Sequence, residues 1–203
     1  MLRIGFLASH GGSGMRAVLE AITEGRLPAA GGSVLVTNNS AAPAVAVAGA
    51  HGVPTCHLSA ATHPDPESLD LAIADALSRH GTDVVLLSGY MKLLGPTTLT
   101  RFRDRILNTH PALLPNFGGK GMYGDRVHAA VLAAGVPTTG ATIHLVDPVY
   151  DHGPVIRRRE VPVLAGDDLA AVRDRVQAAE RALIVEVLAD IARGRLRIPP
   201  TAT

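Results

Sequence analysis

Three side chains of this 203-residue chain stand out for the chemistry that they could perform together: Asn108 and His110 in LNTHPALLP, and Asp151 in VYDHGPVI. Residues two apart on an extended chain point to the same face, so the Asn108 and His110 side chains can address one atom. Pro111 follows the histidine directly, fixing the backbone there and discouraging helix, which suits a strand end that delivers side chains into a cleft. Asp151 lies in a glycine-flanked turn between two strand-like runs, from which an acid can bend back toward a neighbouring strand end. An asparagine amide is a neutral hydrogen-bond donor, and a histidine moves protons best when a nearby carboxylate favours its charged form. Asn108 and His110 alone read more simply as a satisfied polar strand end. Adding Asp151 reverses that reading.

A second cluster lies near the amino terminus. The first apolar run ends at Ser9 and a helical pattern begins near Ser13, so His10, Gly11, Gly12, Ser13 and Gly14 make a tight strand-to-helix turn. Glycines permit close approach to backbone amides, and a helix start carries partial positive charge, so a phosphate could sit there without a lysine. The turn completes neither the G-x-G-x-x-G fingerprint nor a Walker loop, which favours a mononucleotide-like phosphate. The alternative is a plain glycine turn with Ser13 as helix cap.

Around these clusters, short apolar runs alternate with helical stretches. LRIGFLAS, GSVLVTN, VPTCHL, TDVVLLSG and RILNTH read as strands; SGMRAVLEAITEGRL, AAPAVAVAGAHG, LDLAIADALSRHG and a short stretch after Pro96 read as helices. A proline- and glycine-rich loop, PALLPNFGGKGMYG, then precedes the helical DRVHAAVLAAG, and TTGATIHLV and PVIRRREVPV follow as strands joined by DPVYDHG. From about Asp168 to Arg193, Leu169, Val172, Val176, Leu183, Val187 and Ile191 give one apolar helical face. The tail LRIPPTAT is expected to be loose. The fold class expected is α/β: a mostly parallel twisted sheet with helices on both faces, one domain over 1–203, with a nucleotide-binding half over about 1–100 and a catalytic half over about 101–203.

Composition narrows the class further. Hydrophobic residues make up 47% and charged residues 18%, which excludes a disordered chain. Nineteen basic against eighteen acidic residues leave a charge of +1, so no global field recruits nucleic acid or an anionic membrane, and an anionic ligand needs a local site. The opening has neither a membrane-spanning run nor a signal-peptide pattern, and the protein is expected to be cytoplasmic. The single Cys56 reads as a small packed residue. Nine histidines show no metal-ligand spacing, and no metal is inferred. His144 reads first as a packed strand residue that could support His110, His128 as a helix-surface or partly buried residue, and RRRE as the solvated face of a strand, with a phosphate or polyglutamate contact as the lesser option.

ILNTHPALLP followed by TGATIHLVDPVYDHGPVI resembles the signature of the folate-dependent formyltransferases. SHGGSGMRAV, LSGYMKLLGP and RVQAAERALI add the order seen in the branch acting on glycinamide ribonucleotide, and the likeness spans nearly the whole chain. It implies two small-molecule partners, glycinamide ribonucleotide and the co-substrate 10-formyltetrahydrofolate, and an enzyme working as monomer or homodimer without nucleic acid or membrane. It implies the catalytic trio Asn108, His110 and Asp151. The substrate phosphate falls to Gly12, Ser13, Gly14 and Met15, and the ribose to Glu180 with help from Gln177. The folate falls to Met91, Lys92, Leu93, Leu94 and Asn108, and to Asp147, Pro148, Val149, Tyr150 and Asp151, whose backbone would face the pterin-like ring.

The sequence departs from that pattern in places. Lys92 stands where an arginine is often found, giving a point-charge contact in place of a bidentate one. Gly14 replaces an asparagine, which leaves only backbone contact. No folate-contacting arginine occurs near Pro66. The loop over 117–124 is longer than in the relatives and could act as a flap. Three rival functions share these features: transfer to another amine acceptor, whose enzymes usually carry a further carboxyl-terminal domain; hydrolysis of the formyl-folate, which would not require a phosphate turn; and a nucleotide-binding module with a decayed site, against which the intact trio speaks.

Overall fold

A computed structural model of the chain describes residues 1–197. The elements run β1 (Leu2–Ala8), α1 (Ser13–Thr23), β2 (Ala30–Thr37), α2 (Pro43–Ala50), β3 (Thr55–His57), α3 (Pro66–Arg79), β4 (Val84–Leu87), α4 (Pro96–Arg101), β5 (Ile106–His110), α5 (Asp125–Ala133), β6 (Thr138–Leu145), β7 (Val155–Pro162) and α6 (Leu169–Ala192). The strands form one seven-stranded sheet ordered β3-β2-β1-β4-β5-β6-β7. Pairing is parallel from β3 through β5, whereas β6 runs antiparallel to β5, and β7 to β6. The expected α/β architecture is the one found.

Both faces of the central strands are buried, which explains their nearly continuous apolar character. On β1, Ile4, Phe6 and Ala8 enter a core shared with α1, α2 and α6. Leu7 turns to a second core with residues of α3 and with Phe102. On α6, Val172, Val176, Leu183, Val187 and Ile191 are all buried, and Leu169 is half-buried at the helix start.

Local chemistry sets the helix starts. α2, α3 and α4 each carry a proline in the first turn, where a missing N–H costs nothing. Asp65 caps α3 by accepting the Ser68 N–H at 2.8 Å, so this helix begins inside the proline-rich turn. Asp168 caps α6 through the Ala171 N–H at 2.8 Å. The buried Asp70 of α3 reaches across to cap α4, accepting from the N–H groups of Thr97 at 2.7 Å and Thr98 at 3.1 Å. That contact fixes the far end of the loop leaving β4.

In the arginine run of β7, Arg158 and Glu160 are exposed, as expected of a solvated strand face, whereas Arg157 and Arg159 are half-buried and paired. Arg157 pairs with Asp190 at 2.8 Å and Arg159 with Glu186 at 2.6 Å, both on α6, while Arg158 Nε donates to the Leu114 carbonyl at 3.0 Å. The helix crossing this edge supplies counter-charges that the local sequence does not show. Cys56 is free and half-buried on β3. The tail expected to be loose lies, beyond Arg197, outside the described residues. Among the described residues no helix is long and apolar enough to cross a membrane.

Candidate active site

β1 lies between β2 and β4, so the chain's crossovers diverge there and open a crevice at the carboxyl ends of β1 and β4, the usual ligand position in such sheets. The glycine turn sits at this crevice. Gly12 adopts φ 62° as the residue preceding α1, a left-handed conformation suited to glycine, and no side chain among the described residues caps the helix. Ser13 is therefore the first helical residue and not its cap. The first intrahelical bond runs from Arg16 N–H to Gly12 O, so the Ser13 and Gly14 N–H groups stand ahead of the helix's own bonding at its positive end. Met15 differs from expectation: its N–H donates to Ser88 Oγ at 2.9 Å and its side chain is fully buried, so it supports the turn from behind without presenting a donor.

The expected trio comes together. Asn108 and His110 lie on β5 and Asp151 in the β6–β7 connection, with φ 55°. Asp151 Oδ2 stands 3.4 Å from His110 Nδ1. His110 Nε2 donates to the Phe117 carbonyl at 2.7 Å, and the Gly119 N–H donates to Asp151 Oδ2 at 3.0 Å. The glycine-rich loop thus touches both the acid and the imidazole.

His144 is buried on β6, as expected of a packed strand residue, and it also belongs to the same cluster. The antiparallel pairing of β5 with β6 sets His144 directly opposite Asn108. His144 Nδ1 lies 2.9 Å from the Leu145 carbonyl, which can only accept, so Nδ1 carries the proton and Nε2 accepts from Asn108 Nδ2 at 3.1 Å. Burial lowers the His144 pKa, which favours this neutral ring. One amide N–H of Asn108 is committed to His144, and the second remains for another acceptor. The other oxygen of Asp151 stands 3.6 Å from His144 Nε2, closing the ring of contacts.

Charges around the cluster follow from burial and neighbours. Burial raises the Asp151 pKa, but the hydrogen bond and charge of His110 and the Gly119 N–H outweigh it and hold the carboxyl below its usual value. Glu180 is half-buried on α6 with Gln177 one turn before it. Loss of water pushes its carboxyl up to about 7, opposed by the charges of His110 and Arg181. His128, read as a helix-surface or partly buried residue, is 2% exposed, its Nδ1 has no hydrogen-bond partner among the described residues, and burial lowers its pKa.

A cleft of about 90 Å³ opens beside Asn108. Lys92, Leu93, Leu94, Asp147, Val149, Tyr150 and Asp151 line it together with Leu87, Tyr90, Leu99, His144 and Val146, which the sequence did not single out. A wider groove of about 460 Å³ continues from it past Leu99 and Val146 and takes in Pro148. Met91 lies outside both linings; it anchors the loop by donating its N–H to Ser9 Oγ at 2.9 Å. Leu93, Val149 and Tyr150 leave apolar surface exposed along the rim, as a site for a flat, partly apolar ligand requires.

Comparison with known proteins gives a consistent result. A family model described as formyl transferase matches residues 2–188. The chain is 41% identical over 190 residues to a phosphoribosylglycinamide formyltransferase of Mycobacterium tuberculosis, covering 94% of this chain and 85% of that protein. It is 31% identical over 203 residues to the protein of that name from Escherichia coli, covering 99% and 92%. A crystal structure of glycinamide ribonucleotide transformylase 1 from Symbiobacterium toebii superposes with a TM-score of 0.89 at 37% identity, covering 99% of this chain and 92% of that one.

Proposed function

Because the chain belongs to the formyl transferase family, within it beside the phosphoribosylglycinamide formyltransferases, we propose that it transfers the formyl group of 10-formyltetrahydrofolate to the primary amine of glycinamide ribonucleotide in de novo purine synthesis. The observation that carries this reading is the closed set of contacts among Asn108, His144, Asp151 and His110 at the head of a partly apolar cleft.

In this reaction the amine nitrogen bonds to the formyl carbon and the carbonyl oxygen takes up negative charge. The uncommitted amide N–H of Asn108 donates to that oxygen, where a preorganised donor is most effective. His110, its ring held by Asp151, supplies a second donor and protonates the folate nitrogen as its bond to the formyl carbon breaks. The amine proton leaves through water. Because Phe117 O holds His110 Nε2, the 117–124 loop shifts as the substrate takes that contact, which gives this loop the character of a flap.

Gly12, Ser13 and Gly14 bind the substrate phosphate, Glu180 and Gln177 the ribose, and Lys92 the glutamate end of the folate. An absorbance assay of 10-formyltetrahydrofolate consumption, with and without glycinamide ribonucleotide, tests the assignment. Turnover that depends on the ribonucleotide is the expected result. Formate release without it would instead make the protein a hydrolase.

A further inference from the structure

The crevice between β1 and β4 is bridged twice, in opposite directions, by buried serines. Ser9 follows β1, and its Oγ accepts the N–H of Met91 at 2.9 Å, in the loop that follows β4. Ser88 follows β4, and its Oγ accepts the N–H of Met15 at 2.9 Å, in the helix that follows β1. Each strand end therefore holds the segment that leaves the other. Backbone bonds from Ser9 N–H to Gly89 O at 3.1 Å and from Ser88 N–H to Leu7 O at 2.8 Å fix both serines to the opposite strand's chain.

Ser9 is 3% exposed and Ser88 6%, so an amide that lost either hydroxyl would lack ready access to replacement water. Gly14 lies against the same hydroxyl: a Cβ added there would lie 3.2 Å from Ser88 Oγ, so a side chain at this position would press on Ser88.

We propose that Ser9 and Ser88 form a crossed latch that couples the phosphate turn to the folate loop, so that filling either subsite favours filling the other. The latch rests on the ligand assignments of the proposed function. Both serines are positioning residues, since each acts on substrate through the backbone that it holds. By linkage the two ligands must strengthen one another by the same factor, which for couplings of this kind is about 5- to 150-fold.

Calorimetric titration of the full chain with glycinamide ribonucleotide and with a non-transferable formyl-folate analogue, each alone and then with the other present, measures that factor. In the unaltered protein it is at least about fivefold, and Ser9→Ala and Ser88→Ala each bring it to within about twofold of one. Ser9→Thr, which keeps the hydroxyl, retains it. Serines that only supported the fold would lower the melting temperature and weaken each ligand alone while leaving the factor intact, and that outcome overturns the latch. If Ser88→Ala does not fold, Ser9→Ala tests the other arm. A factor of one in the unaltered protein with both ligands bound also overturns the latch while sparing the proposed function. Failure of the unaltered protein to bind the ribonucleotide overturns the acceptor assignment, and the latch with it.

Discussion

Asp151 Oδ2 faces His110 Nδ1 at 3.4 Å, while the opposite ring nitrogen of that histidine donates to the Phe117 carbonyl. The imidazole is thus held between a carboxylate and a carbonyl, with 3% of its side chain exposed. A ring that must deliver a proton needs such a fixed orientation and a nearby negative charge.

Asp151→Asn keeps the shape of this partner and removes its charge. The expected result is a fall in kcat on the order of a hundredfold with the fold intact. In the unaltered enzyme the Asp151 pKa is lowered, so the carboxylate is present above the ordinary value of 3.8 and is lost only as pH falls through the lower folded value. Its acid limb therefore lies below pH 3.8. Unchanged turnover in the variant at neutral pH would remove Asp151 from the mechanism.

Asn108→Ala deletes the neutral donor assigned to the developing oxyanion. Loss of one such donor typically costs about a hundred- to a thousandfold in rate. Single-turnover kinetics with both substrates saturating isolates the chemical step, and near-normal rates would show that another group holds the oxygen.

His144→Phe tests the orientation of Asn108. The phenyl ring retains bulk but offers no acceptor to Asn108 Nδ2, leaving the amide free to rotate. A misplaced catalytic group of this kind costs about a hundredfold. The expected signature is a reduced kcat with little change in folate KM; a change confined to KM would make His144 a wall of the cleft and nothing more.

This role for His144 marks where the sequence stopped being legible. The alternation in ATIHLV reports burial of the histidine but not which residue lies across the ladder, because strand register is a long-range property. Asn108 and His110 were readable since both lie on one strand at a spacing of two, and Asp151 since its glycine-flanked turn is local. The Met15 amide looked available at a helix start because its acceptor, Ser88, is 73 residues away. The partners of Arg157 and Arg159 went unread for the same reason, lying on a helix that follows later in the chain.

Gly153, two residues after Asp151, permits no side chain. A Cβ there would lie 1.9 Å from the Leu145 carbonyl oxygen, a backbone atom that cannot swing aside. Gly153→Ala must therefore push the β6–β7 connection away from β6, and it carries Asp151 with it. The expected outcome is a lowered melting temperature together with loss of turnover larger than that of Asp151→Asn, compared side by side by thermal denaturation and initial rates. A fully stable, active alanine variant would show that this connection tolerates a shift and does not fix Asp151.

Glu180 gives the clearest pH dependence. Loss of water raises its carboxyl from 4.5 to about 7 in the fold, against the opposing charges of His110 and Arg181. For a raised pKa, the stabilising contribution is complete below the unfolded value of 4.5 and is lost as pH rises through about 7. The loss is at most about 3 kcal/mol, less where residual water reaches the half-buried group. Under the proposed contact with the ribose, binding has the opposite sign: a hydroxyl donates better to the ionised carboxylate, so KM for the ribonucleotide is expected to fall as pH passes upward through about 7. Glu180→Gln removes both dependences. Urea denaturation at pH 5 and pH 8, with KM measured at both, should show the unaltered protein losing stability relative to the glutamine variant at the higher pH while gaining ribonucleotide affinity over it. Parallel stability curves for the two proteins would mean that Glu180 does not titrate in this range. A pH-independent KM difference between them would instead separate its binding role from its charge.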